Sequence, residues 1–303
     1  MSKSTKSLVI KLFIRCILGF NLTLAATLIL GITNRQVAAT SLTDQVDRRI
    51  YHRIVQRIAP SADQKSMGNI IQEISQQLLG AEYQAGLLDQ STQETLVISL
   101  QKFDCLLFIE TVLAIAQNIN QPDHSYQAFT QNVENQRYWN GTMNGYCSRL
   151  HYFSDWIADN ENRGNVKNIT RQLGGVDTIK KLNFMTTHRS SYPNLAQNEP
   201  NFNCLARVEA SLTPTFNYIP TENISQTYSQ LQPGDIIGVA TKIPGLDFTH
   251  TGFVYQQPDG NMGLIHASPA GEVVIAQDLQ KYIGNVQNAI GIVVSRASSA
   301  TGK

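Results

Sequence analysis

Three side chains have the types and settings that nucleophilic chemistry needs: Cys105, His250 and His266. Cys105 follows Asp104, an acid suited to cap a helix running through Phe108, Val112, Leu113 and Ile115. A cysteine in a first helical turn meets free backbone N–H groups and the positive end of the helix dipole. Both favour a thiolate, and the same N–H groups can stabilise an oxyanion. The competing reading is a buried cysteine acting as a small apolar residue. His250 and His266 each open or close a β-type run, Thr249–Tyr255 and Gly263–His266, with a turn between the runs. That pattern predicts adjacent antiparallel strands ~4.8 Å apart, close enough for one imidazole to hold the other. A cysteine nucleophile needs a base, and the base needs an orienting partner. Cys105, His250 and His266 can fill those roles in that order.

The elements that must position these groups follow from apolar periodicity. Residues 43–58 and 62–79 have helical spacing, carried by Ile54, Val55 and Ile58 and by Ile70, Ile71, Ile74 and Leu78. Gly80 stands where a helix C-terminus often places glycine. Leu96–Leu100 reads as a short buried segment, ahead of the Asp104-capped helix. The middle, roughly 118–232, is rich in Asn and Gln and predicts helical pieces near 125–139 and 148–160. The period then changes. Ile236–Val239, Thr249–Tyr255, Gly263–His266, Val273–Ile275 and Ile290–Val294 are short β-type runs, separated by turn signals such as Pro233-Gly234-Asp235 and Pro258-Asp259-Gly260-Asn261. Helices first and closely spaced strands later indicate an α+β domain with an antiparallel sheet. With no internal repeat or low-complexity linker, residues 40–303 read as one domain with a helical insertion at about 118–232.

Composition bounds the rest. A length of 303 residues supports a core without a disulfide or metal staple, and 42% hydrophobic content excludes a disordered chain. With 24 basic and 23 acidic residues there is no electrostatic footprint for nucleic acid. The five charges of residues 1–39 (Lys3, Lys6, Lys11, Arg15, Arg35) are all positive, which leaves 19 basic and 23 acidic residues beyond them and a net charge of −4. A basic start, an apolar run from Cys16 to Ile32 and the small residues Val37-Ala38-Ala39 together read as a secretory signal, residues 1–39, with an uncleaved anchor as the competing reading. No second apolar run approaches ~18 residues, so no stable membrane span is expected after cleavage. Export to a periplasmic or extracellular compartment leaves Cys105, Cys147 and Cys204, an odd count where thiols pair. No CxxC pair is present and the six histidines are scattered, so no metal and no cofactor are expected. Asn21, Asn140, Asn168 and Asn223 open Asn-x-Ser/Thr sites, meaningful only in a host that glycosylates.

Cys105 and its helix, His250-Thr251-Gly252-Phe253-Val254 and Ile265-His266-Ala267-Ser268 resemble the NlpC-type, papain-like bacterial cell-wall hydrolases. The sequence is more closely similar to their N-acetylmuramoyl-L-alanine amidase-like branch. That similarity takes in Leu79–Gly86, Phe103-Asp104-Cys105 with Phe108-Ile109-Glu110, Ser148–Trp156, Asn183-Phe184-Met185, Pro233–Ile237 and Gly245–His250, across about residues 78–296. The resemblance implies a papain-like fold in which the cysteine helix packs on a sheet carrying both histidines. It implies Cys105 as nucleophile, His250 as base and His266 orienting His250, with Tyr83 lining the cleft near the oxyanion. It also implies peptidoglycan or muropeptides as the partner, cut at an amide bond through a thioester. Arg149 and His151, with Tyr152 and Trp156, fall in a matching segment and are candidates for the glycan side of the cleft, with helix packing by Tyr152 and Trp156 as the alternative.

One departure bears on specificity. In peptide-cutting relatives Asp-Cys is followed by serine and glycine, and the aspartate and serine help bind a free substrate amine. Asp104 is kept, but Leu106 and Leu107 take the next two places. This favours the lactyl–L-alanine amide, whose amine is already acylated, over a γ-D-glutamyl–diamino-acid bond. A catalytically silent cell-wall binding module is the reading from another class. Cys147 and His151, four residues apart, are a rival couple without an evident oxyanion donor or third member. A structural role or a Cys147–Cys204 disulfide is the favoured reading for that cysteine, and the disulfide would leave Cys105 as the odd thiol.

Overall fold

Branched and aromatic residues alternate along the C-terminal strands and are buried on both faces, so the sheet they form must be covered on both sides. In the computed structural model, which describes residues 44–212 and 215–298, this is the arrangement found. The proposed export segment, residues 1–39, lies outside the described residues. The strands are β1 (Glu82–Tyr83), β2 (Lys102–Phe103), β3 (Val166–Asn168), β4 (Val176–Ile179), β5 (Thr215–Pro220), β6 (Ile236–Thr241), β7 (Phe248–Gln256), β8 (Met262–Ala267), β9 (Val273–Ala276) and β10 (Ala289–Ala297). The main sheet runs β4-β5-β10-β6-β7-β8-β9, with β3 also paired to β10. Every pairing in it is antiparallel. β1 and β2 form a separate parallel pair.

The helices are α1 (44–58), α2 (Met67–Gln77), α3 (Cys105–Ile119), α4 (Tyr126–Arg137), α5 (Phe153–Asn162), α6 (Phe184–Thr187), α7 (Pro193–Ala196), α8 (Glu199–Ser211) and α9 (Leu279–Asn285). Ile236, Phe253, Ile265 and Val293 point to one side and join the core built with α2, α3, α4 and α5. Ile237, Val254, Leu264 and Val294 point to the other and meet Leu279 and Ile283 of α9. Adjacent positions thus serve opposite cores, as a period of two requires. Each such side chain contributes about 1.5–3 kcal/mol through burial. Helix α3 is enclosed almost all round: twelve of its residues are buried, and Phe108 stacks edge-on against Phe103 and Phe253. Gly291, at φ +154° in an irregular step of β10, lies where a Cβ would fall 1.9 Å from the Ile219 carbonyl oxygen, so only glycine lets β5 approach there.

Three expectations change. The insertion at about 118–232 is not purely helical: β3, β4 and β5 lie in it and extend the sheet beside β10. The sequences of β3 and β4 are short and carry no clean strand alternation, and the partners of all three strands lie far along the chain. The second helix begins at Met67 rather than near 62, because Pro60 sits in a 3-10 turn, Ala59–Gln64, and Ser66 caps the helix by accepting from Asn69 N–H. Leu96–Leu100, expected as a buried segment, is fully buried only at its last two residues, with Leu96, Val97 and Ile98 partly buried against the core. Among the described residues, no helix is long and apolar enough to cross a membrane.

Candidate active site

Asp104 fixes the start of α3. Its Oδ1 accepts from Leu106 N–H at 3.0 Å and Leu107 N–H at 2.8 Å, a cap that stabilises by about 1 kcal/mol. Phe108 N–H bonds the Asp104 carbonyl, so Cys105 stands in the first turn, where a backbone amide has no partner within the helix and can serve a nearby acceptor. The same helix end is tied to the sheet: Thr251 donates its hydroxyl to the Cys105 carbonyl at 2.8 Å. That bond sets Cys105 against β7 one residue from His250.

His250 and His266 lie on neighbouring antiparallel strands, β7 and β8, as their spacing predicts. His250 Nε2 and His266 Nδ1 are 2.7 Å apart, and the rings meet edge-on at 4.8 Å between centroids. Gly252 is what makes room, because a Cβ there would fall 2.8 Å from Leu264 Cδ1 and 3.0 Å from His266 Cβ. Both imidazoles are buried, and both are held neutral. Burial, then the neighbouring His266, lowers His250 to about 3, and burial lowers His266 to about 4. Sequence reading missed a fourth member, Tyr282 of α9. Its ring lies 4.6 Å from that of His266 and 6.3 Å from that of His250, and its hydroxyl is 3.5 Å from His266 Nδ1. Asp278, accepting from Lys281 N–H, starts the helix that delivers it, which is the one local signal that could have drawn attention to it.

The Cys105 thiol departs from expectation. Burial first, then the Asp104 carboxylate, pushes it up to about 11, while hydrogen bonds from Thr251 and from the backbone pull the other way. The helix start supplies donors, yet the thiol rests protonated, because enclosure and an adjacent anion outweigh them. Tyr83 is held beside this end of the helix. It pairs with Phe103 and donates its N–H to the Gly271 carbonyl at 2.7 Å. Burial, followed by Cys105 and Asp104, raises its phenol.

Arg149 and His151 sit differently from a cleft-lining pair. Arg149 is buried, with Nε and Nη2 on Glu94 at 3.0 and 2.6 Å, Nη1 on Asp89 at 3.0 Å and Nη2 also on the Leu88 carbonyl. Its donors hold the loop around Leu87–Asp89 and are engaged within the protein. His151 is enclosed against the Tyr146 ring with Nε2 2.9 Å from the Tyr146 carbonyl, and burial, then Arg149, lowers it to about 3. It has no thiol partner, because Cys147 is joined to Cys204 in a disulfide, and among the described residues Cys105 is the free cysteine. Asp104 likewise has one carboxylate oxygen committed to the cap. Among the described residues, no cluster of His, Cys, Asp or Glu could hold a metal ion.

A family model described as N-acetylmuramoyl-L-alanine amidase-like matches residues 73–292. A crystal structure of an N-acetylmuramoyl-L-alanine amidase from Bacteroides uniformis is 29% identical, with a TM-score of 0.72, covering 77% of this chain and 99% of that one. A putative xylanase from Bacteroides fragilis is 31% identical, with a TM-score of 0.66 over 73% of this chain and 98% of its own. A Legionella pneumophila protein shares the fold at 23% identity, with a TM-score of 0.65 over 86% and 96% of the two chains. No curated protein matches significantly.

Proposed function

Because the chain belongs to the N-acetylmuramoyl-L-alanine amidase-like family, we propose that it is an exported cysteine amidase of papain-like, NlpC type that cuts peptidoglycan between N-acetylmuramic acid and L-alanine. Family membership itself makes it a hydrolase of the amidase kind. The observation that carries the finer reading is the 2.7 Å contact between His250 and His266 beside the point where the cysteine helix is tied to β7. The Cys147–Cys204 disulfide supports export, since such bonds persist in oxidising compartments.

In this reading His250 Nε2–H donates to His266 Nδ1, which leaves Nδ1 of His250 as the base. As Cys105 Sγ attacks the lactyl carbonyl carbon, its proton passes to His250. The tetrahedral oxyanion is met by the Cys105 N–H and the Tyr83 hydroxyl. His250 then returns the proton to the alanine nitrogen, the C–N bond breaks, and the lactyl group remains on sulfur as a thioester. Water, deprotonated by His250, hydrolyses that thioester and regenerates the thiol. Leu106 and the fully buried Leu107 offer no polar group for a free amine, which supports an acylated alanine as the substrate. Glycoside cleavage, which the name of the B. fragilis structure would suggest, calls for two carboxyl groups flanking a sugar bond, and a histidine pair beside a cysteine is not that arrangement.

Mass spectrometry of products from defined muropeptides tests the proposal. Release of L-alanyl peptides, with the lactyl carboxylate of N-acetylmuramic acid freed, is expected, and Cys105→Ala should lower turnover by about 1,000-fold or more. Cleavage after D-glutamate with the sugar–peptide amide intact would reject the bond assignment.

A further inference from the structure

Outside the residues of the proposed reaction, a cavity of about 300 Å3 opens between α5, the Trp139 turn, the end of α8 and β5. Three carboxyl side chains, Asp155, Asp159 and Glu161, line it together with Trp139, Phe216 and Ser211, and no described lining residue is basic. Asp159 is already answered: Asn140 N–H bonds its Oδ1, and Arg163 bonds its Oδ2. Asp247, behind Ser154, is answered too, by the amide and hydroxyl of Ser154 and by Phe248 N–H. Asp155 is not. It is 94% buried, and its Oδ2 has no hydrogen-bond partner. Burial, then Asp159, then Asp247, raises its carboxyl to about 8. A carboxyl buried among carboxylates with nothing to bond costs stability, and nothing in the fold repays it.

We propose that this cavity binds a primary ammonium group carried on a short chain, as in the side chain of a diamino acid, with Asp155 as its ion-pair partner. An ammonium supplies the donors and the positive charge that Asp155, unlike Asp159, is not given by the fold, and Trp139 offers an aromatic wall of the kind cations favour. A metal ion fits less well, because among the described residues no set of carboxylates is gathered to ligate one. None of the residues of the proposed reaction lines the cavity; Ser154, beside Asp155, holds Asp247, which precedes His250 by three residues in the sequence. In a stem peptide such a group would belong to the diamino-acid residue, and that identification alone rests on the amidase reading. The binding does not.

Calorimetric titration of the purified protein with Nα-acetyl-lysine methylamide, and with its Nε-acetylated counterpart, separates these outcomes without using turnover. The free amine should bind and its acetylated form should not. Because binding ionises Asp155, a proton should leave for each ligand bound below about pH 8, seen as a dependence of the heat on buffer. Asp155→Asn should weaken binding about tenfold or more and abolish the proton release. That variant should fold, since it replaces an unpaired acid by a near-isostere, and the comparison of the two ligands on the unaltered protein stands regardless. Equal binding of both ligands, binding of neither, or occupancy by calcium or N-acetylglucosamine that Asp155→Asn removes would each overturn the assignment.

Discussion

Both partners in the proposed proton transfer, the Cys105 thiol and the His250 imidazole, are neutral at pH 7: one is raised to about 11 and the other lowered to about 3. A standing thiolate–imidazolium pair is therefore not the resting state, and the proton must move as the sulfur attacks. A thiol raised above its ordinary value gains thiolate tenfold for each unit of pH until it approaches its own pKa. Alkylation of Cys105 by iodoacetamide should accordingly climb from pH 7 toward about 11 without a neutral plateau. A plateau near pH 7 would mean that the ion pair forms in the free enzyme. Tyr282 belongs to the same residue-level picture: its ring packs on both histidines, yet the capping Asp278 marks only the start of its helix and says nothing of the pairing with them.

At the scale of elements, the segment between α4 and α5 is tied to distant ones. The turn Tyr146–Ser148 is bound to α8 through Cys147–Cys204, and Arg149, next along, grips Asp89 and Glu94. Replacing both cysteines by serine should cost about 2–4 kcal/mol in urea unfolding while leaving turnover per folded molecule intact. Loss of activity in the folded double variant would instead make Cys147 part of the chemistry. The same elements show what could be read in advance. The start of α3 and the His250–His266 strand pair are written locally, as a capping acid before an apolar helix and as alternating runs across a turn. The partners of Arg149 are not, since they lie 55 and 60 residues away. Nor are β3 and β4, in which Val166-Lys167-Asn168 and Val176-Asp177-Thr178-Ile179 lack a clean alternation. They become strands because β10 and β5 offer them an edge.

Across the whole molecule, buried ionisable groups pull stability in opposite directions with pH. His151, His250 and His266 have folded pKa values below the ordinary 6.5. The unfolded chain therefore binds more protons between that value and about 3–4, and stability falls as pH falls through this window. Asp155 is raised to about 8, so its stabilising contribution, present below the ordinary carboxylate range, is lost as pH rises toward 8. Urea unfolding between pH 4.5 and 8.5 should show His151→Gln flattening the acid limb and Asp155→Asn the alkaline one. Profiles parallel to that of the unaltered protein would contradict both. The sheet's topology has a consequence of another kind, in time. β10 follows every other strand in the sequence, yet β3, β5 and β6 all pair with it. During synthesis those three strands have no β10 to close on until residues 289–297 emerge. If the chain is exported as proposed, an extended chain threaded outward gains from this order, because an inner strand of its sheet is the part made last.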